Sequence, residues 1–132
     1  MMYIVVGLFA MAGALLRDGI GQVTLNWWSG SFPVATLVIN IIGCFVLGWF
    51  TNHIKKLSQV HPYIKTGVGT GLIGSFTTFS TFSVETIRLF ESGHLLMGIV
   101  YLLTSYFGGW LFAFLGVKLG DHLIYKRQEV VK

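Results

Sequence analysis

The stretch Gly74-Ser75-Phe76-Thr77-Thr78-Phe79-Ser80-Thr81-Phe82 decides how this chain is read. It lies inside a hydrophobic run, yet hydroxyls stand at Ser75, Thr77, Thr78, Ser80 and Thr81, and Ser83 follows. A Ser or Thr can bond back to the preceding helical turn, so any one of them alone has a structural explanation. Six within nine positions lower helix propensity where apolar residues would serve better. Gly67, Gly69, Gly71 and Gly74 stand just upstream, and the combination predicts a helix broken in this region. A broken helix is tolerated at membrane depth only where it is buried in protein or lines a wet cavity. Its free carbonyls can hold a small cation and its free amides an anion. Phe76, Phe79 and Phe82 recur every three residues, and the edge of a phenyl ring carries partial positive charge. Phe79 and Phe82 can therefore meet an anion edge-on without a full charge that would trap it. Ordinary core packing is the other reading of that spacing.

The surrounding composition is that of a bilayer protein. Of 132 residues, 54% are hydrophobic and 11% charged, and the mean hydropathy is +0.73. Soluble domains carry roughly 25% charged residues, so a water-facing surface cannot be covered. The length suits one domain spanning residues 1–132. Seventeen glycines suit close helix contact within a membrane. The single cysteine, Cys44, rules out an intrachain disulfide and reads as a small packing residue. His53, His61, His94 and His122 lie near expected span ends without metal-ligand spacing. The N-terminus lacks a basic region and a convincing cleavage site, so residue 3 onward is read as mature protein.

About 20 mostly apolar residues cross a bilayer as a helix. Four stretches qualify: about Tyr3–Thr24, which contains Arg17-Asp18, then Val34–Asn52, Ile64–Leu89 and Leu95–Lys118. Their short connections predict antiparallel neighbours. The runs do not alternate as barrel strands do. Four spans put both termini on one side. Lys55, Lys56 and Lys65 share that side with Lys118, Lys126, Arg127 and Lys132, against Arg17 and Arg88 towards the other. Seven against two predicts cytoplasmic termini. No basic patch with interleaved aromatics exists, which excludes a nucleic-acid partner.

Helical spacing puts Thr36, Asn40, Gly43 and Leu47 on one face of the second span. A buried Asn near mid-membrane is either helix-to-helix glue or a cavity residue. On the fourth span Tyr101, Ser105, Gly108 or Gly109, and Phe112 share a face. Such hydroxyls can replace water around a moving ion. The acids Asp18, Glu85, Glu91, Asp121 and Glu129 form no acid–histidine–nucleophile order, so the chain does not read as an enzyme. Glu85 and Arg88, three apart, are expected to pair at the end of the third span, with a pathway-mouth role for Glu85 as the alternative.

These residues carry a resemblance. Gly13-Ala14-Leu15-Leu16-Arg17 is similar to Gly-Ala-x-x-Arg, and Thr36-Leu37-Val38-Ile39-Asn40-Ile41-Ile42-Gly43 to Thr-Leu-x-Val-Asn-x-x-Gly. With Gly74–Glu85 they resemble, in order and over nearly the whole chain, the CrcB/Fluc family of fluoride channels. Three positions depart from that pattern. Asp18 stands where an aromatic is frequent, Ala35 where glycine is common, and Gly109 offers no hydroxyl one turn below Ser105.

The resemblance implies an all-α integral membrane protein with four transmembrane helices. The third is broken mid-membrane, and two chains form an antiparallel, dual-topology dimer with two fluoride pathways. Phe79 and Phe82 would line them with Thr78, Ser80 and Thr81, Asn40 would donate its amide, and Tyr101 and Ser105 would form a polar track. A structural sodium ion would be held at the dimer centre by backbone carbonyls of Gly74 and Thr77, and Arg17 would sit at the vestibule or support the fold. The implied function is passive fluoride export across a prokaryotic plasma membrane, which lowers fluoride toxicity. The charge bias of the loops favours pairing with an oppositely oriented paralogue; a homodimer is the alternative. Two rival functions remain. A small multidrug-type proton-coupled transporter needs a carboxylate buried mid-membrane. A non-conducting membrane assembly protein would not need the hydroxyl–phenylalanine run.

Overall fold

The computed structural model describes residues 1–54 and 60–130, except the side chains of 127–130. Lys55, Lys56, Lys132 and the Arg127 side chain, all used in the charge count above, lie outside it. Helix α1 covers Met2–Trp27 and runs unbroken through Arg17-Asp18. Helix α2 is Val34–Asn52, the span expected from the sequence. Helix α6, Leu95–Val130, is 36 residues long. α1, α2 and the Leu95–Lys126 part of α6 are each long and apolar enough to cross a membrane. The chain is a multi-pass membrane protein.

Between α2 and α6 the chain is segmented. A short α3, Pro62–Thr66, starts at His61, whose Nδ1 accepts from the Tyr63 N–H at 3.2 Å. A π-helical stretch, Gly67–Ile73, follows and runs into α4, Gly74–Phe76. Thr77 (φ −76°, ψ 153°) and Thr78 (φ −144°, ψ 118°) are extended, and α5 then covers Phe79–Glu91. The helix therefore breaks where the hydroxyls are and not at the glycines. Those glycines serve packing. A methyl group on Gly71 would meet the Val6 carbonyl at 2.5 Å, and one on Gly67 would meet the Phe9 ring at 2.7 Å. From the other side Gly13 of α1 lies against the Leu72 carbonyl and Ser75 Oγ, and Ser75 Oγ donates to the Ala10 carbonyl at 2.7 Å. Glycine lets the backbones approach this closely.

At the end of α5, Gly93 takes φ 80°, a conformation costly for other residues. Its N–H donates to the Phe90 carbonyl (3.1 Å) and the His94 N–H to the Leu89 carbonyl (2.9 Å), the paired bonds of a Schellman cap. The chain then reverses into α6.

α6 lies chiefly along α2, and α1 along the segment from Pro62 to Phe76. Gly48 faces the Ala113 carbonyl, and Gly116 faces the Phe45 carbonyl and the Trp49 N–H. α6 continues past the expected end at Lys118 because α2 still supports it. Asn52 Nδ2 donates to the Val117 carbonyl (3.0 Å) and to Asp121 Oδ1 (2.5 Å). At 1.5 Å per residue α6 is about 54 Å long, well beyond a hydrocarbon core of about 30 Å. Its last turns therefore extend out of the hydrocarbon.

Gly116→Ala is expected to destabilise the protein by about 1–3 kcal/mol, since the methyl group meets backbone that cannot swing away. Gly19→Ala, with nothing within 4 Å of the added atom, is expected to leave stability unchanged or raise it. Thermal unfolding in detergent distinguishes the two, and equal unfolding temperatures would overturn the packing argument.

Candidate functional site

The site is built outward from Thr78. Breaking the helix frees the Thr78 N–H from an intrahelical partner, whereas the Thr78 carbonyl, at the N-cap of α5, is placed to accept the first bond of that helix and has a second lone pair to offer. The side chain of Asn40 takes both: Oδ1 accepts from the Thr78 N–H (2.9 Å) and Nδ2 donates to the Thr78 carbonyl (3.0 Å). Gly43, one turn along α2, leaves room for the Thr77 methyl group. The Thr78 hydroxyl starts α5, accepting from the Thr81 N–H (3.3 Å) and donating to Thr81 Oγ1 (2.9 Å), with Ser80 Oγ at 3.4 Å. Thr77 closes the upstream piece, its N–H and hydroxyl both donating to the Ile73 carbonyl at 3.1 Å. Among the described hydrogen bonds, none reaches the carbonyl oxygens of Gly74 or Thr77.

A groove of about 760 Å³ opens beside the break, between α2, α5 and α6. Asn40, Thr78, Phe79, Phe82 and Ser105 line it, together with Thr77. Phe79 is 79% exposed and its ring centroid lies 5.9 Å from that of Phe82, which is half-buried. Phe76, before the break, is buried in the core and takes no part. Ser105 Oγ is buried and has no hydrogen-bond partner among the described residues. Cys44 also lines the groove, with its sulfur 3.4 Å from where a methyl group on Gly109 would stand. Ser80 and Thr81 are exposed.

Further along α5 the Phe82 ring meets Tyr101, centroids 5.1 Å apart. Tyr101 is fully buried, with the Phe32 ring set edge-on at 5.6 Å. Its hydroxyl donates to Glu85 Oε2 at 2.9 Å, and Thr36 Oγ1 donates to Glu85 Oε1 at 2.9 Å. This corrects the expected Glu85–Arg88 pair. Both carboxylate oxygens turn inward to hydroxyls of α2 and α6, while Arg88 stays exposed with no ion pair among the described residues. Thr36 was legible as a residue on the Asn40 face, but its partner was not. Arg17 is half-buried on α1 and lines neither the groove nor the cleft beside Glu85.

The structure thus brings Asn40, Thr78, Phe79, Phe82 and Ser105 to one groove and adds Tyr101 and Glu85 at its end; Arg17 stands apart. The groove presents amide, hydroxyl and ring-edge donors and no cationic side chain. Such a lining can replace part of an anion's hydration without binding it irreversibly.

Asn40→Leu removes the partner of the Thr78 N–H and one of the bonds to its carbonyl. Amide exchange at Thr78 and the first turn of α5 is expected to rise by about tenfold or more, since each buried group left unpaired costs about 1–3 kcal/mol. Unchanged exchange there would show that the break does not depend on Asn40.

A family model described as CrcB-like protein, Camphor Resistance (CrcB), matches residues 4–117. A Bacillus cereus protein named "Fluoride-specific ion channel FluC 1" is 47% identical over 126 residues, covering 96% of this chain and 88% of the relative. A Desulfitobacterium hafniense protein of the same name is 47% identical over 114 residues, covering 86% of this chain and 97% of the relative. A Geobacillus kaustophilus protein named "Fluoride-specific ion channel FluC 2" is 46% identical over 116 residues, covering 88% of this chain and 90% of the relative. With matches of this extent across a broken-helix groove, the chain belongs to the CrcB family.

Proposed function

We propose that this chain is a fluoride-selective channel and not an enzyme, releasing fluoride passively from the cytoplasm. The observation that carries the reading is the groove at the break, where Asn40, Thr78, Ser105, Phe79 and Phe82 converge without a cationic side chain, in a chain whose relatives are named fluoride channels. Fluoride is small and strongly hydrated, so many moderate donors must replace its water. Successive moderate sites let it enter and leave. Ser105 Oγ, buried with no partner among the described residues, has a hydroxyl to offer a passing anion. Phe79 and Phe82 offer ring edges, and the Tyr101 and Thr36 hydroxyls hold Glu85 at the end of the route.

The segment Pro62–Glu91 is proposed as the fourth membrane crossing, interrupted near mid-membrane at Thr77-Thr78. A second copy, inserted the opposite way, would cover the exposed Phe79 and complete the pathways. The carbonyls of Gly74 and Thr77, which accept no hydrogen bond among the described residues, fit a hard cation such as sodium, which is bound through oxygen. Bound there between two copies, sodium would supply positive charge to tie the breaks together. The charge bias of the loops supports cytoplasmic termini and favours a paralogue as the oppositely oriented partner. The relatives' names, numbered 1 and 2, are in keeping with paired chains. The rival transporter reading would draw on Glu85, whose two oxygens are already held by hydroxyls.

Purified protein in liposomes, with its paralogue where one is present, is expected to release fluoride to an electrode and to leave chloride inside. Fluoride release no faster than from empty liposomes would refute the channel. Phe79→Ile and Asn40→Asp are each expected to cut the flux by about tenfold or more, equivalent to ~1.4 kcal/mol on the barrier, with the assembly intact; wild-type flux would remove that residue from the pathway. A C-terminal tag is expected to be reached from the cytoplasmic side alone. Equal labelling from both sides would point to the homodimer.

A further inference from the structure

Beyond the groove, a second cleft of about 320 Å³ opens where α1 turns into α2. Glu85, Arg88, Ser31, Thr24 and Ser92 line it. Its wall is built and not loose. Trp28 Nε1 donates to the Phe32 carbonyl at 2.8 Å, the Trp28 N–H to the Thr24 carbonyl at 2.9 Å, and the Val34 N–H to the Phe32 carbonyl at 2.9 Å. The Phe32 ring is seated on Tyr101, the residue that holds Glu85. The cleft is thereby fixed to the end of the Phe82–Tyr101–Glu85 ladder.

A carboxylate at the end of an anion's route raises a barrier to that anion. One helical turn along α5, Arg88 lines the same cleft, is exposed, and makes no hydrogen bond or ion pair through its side chain among the described residues. Its charge is available to the cleft and is not spent on Glu85, whose oxygens Thr36 and Tyr101 occupy. We propose that Arg88 is an anion-capture residue at this mouth, concentrating small monovalent anions and offsetting the field of Glu85. The inference rests on the channel reading given above. A single exposed charge acts here by steering, so its effect must fade as salt screens it.

The test follows fluoride efflux from phosphatidylcholine liposomes, whose lipid carries no net charge, holding the protein with its paralogue where one is present, at low and high ionic strength. At about 20 mM, R88Q is expected to conduct roughly threefold less than wild type and R88E about tenfold less, while R88K matches wild type. At about 500 mM all four are expected to agree within about a factor of 1.5, because the Debye length has shrunk to a few ångströms. Flux of R88E equal to wild type at low ionic strength would overturn the inference. An equal deficit at both ionic strengths would also overturn it, since that marks a structural role. Wild type without fluoride flux would overturn the channel reading and this inference with it, whereas a conducting wild type with an indifferent Arg88 overturns the inference alone.

Discussion

A peptide group inside a bilayer must find a hydrogen-bond partner in the protein, because an unpaired one costs several kcal/mol there. The Asn40 side chain shows at Thr78 how a backbone interrupted in this way finds partners within the protein. The helix stops, two residues become extended, and one side chain from another helix supplies the acceptor that the Thr78 N–H has lost and a further donor to its carbonyl. Asn is among the few side chains that carry a donor and an acceptor on one planar group. Its place on α2 fixes the distance between α2 and the break, and with it the width of the groove. Asn40 is thus a structural clamp as well as a groove-lining residue.

Polar side chains in this fold either hold backbone or are left free towards a cavity, and the difference separates scaffold from site. Ser75, Thr77 and Thr86 return their protons to nearby carbonyls. Ser105 does not. Glu85 combines both roles, being fully provided with donors yet placed in the wall of an open cleft. Its two oxygens are held by hydroxyls of α2 and α6 and not by Arg88. That leaves the exposed guanidinium of Arg88 to act on whatever enters the cleft.

Much of this could be read from the residues alone, where the signal was local. The α2 boundaries followed from Pro33 before it and the apolar run through Asn52. The density of hydroxyls between Ser75 and Ser83 pointed to an interruption, and Thr77 and Thr78 within it are extended. What could not be read were consequences of one element meeting another. The glycines at 67, 69 and 71 looked like part of the break and are instead contact points for α1 and for Phe50. Glu85 looked like the partner of Arg88, since sequence spacing sees only neighbours on the same helix, but two hydroxyls 49 and 16 residues away reach it instead. The expected end of the last span came from hydropathy, whereas α6 runs on to Val130, with Asn52 holding it just past Lys118 through Asp121.

The π-helical stretch Gly67–Ile73 carries a consequence for how this protein can vary. Such a stretch accommodates one residue more than an α-helix of the same length would. It therefore acts as a phase adjuster between α3 and the break. Each residue of α-helix turns the chain by about 100°. Loss of a single residue from this stretch would restore ordinary helical winding and rotate Ser75 away from Ala10 and Thr77 away from Gly43. Chain length between Pro62 and Thr78 is constrained more tightly than the identity of most residues within it, so a one-residue deletion there is a graver change than many substitutions.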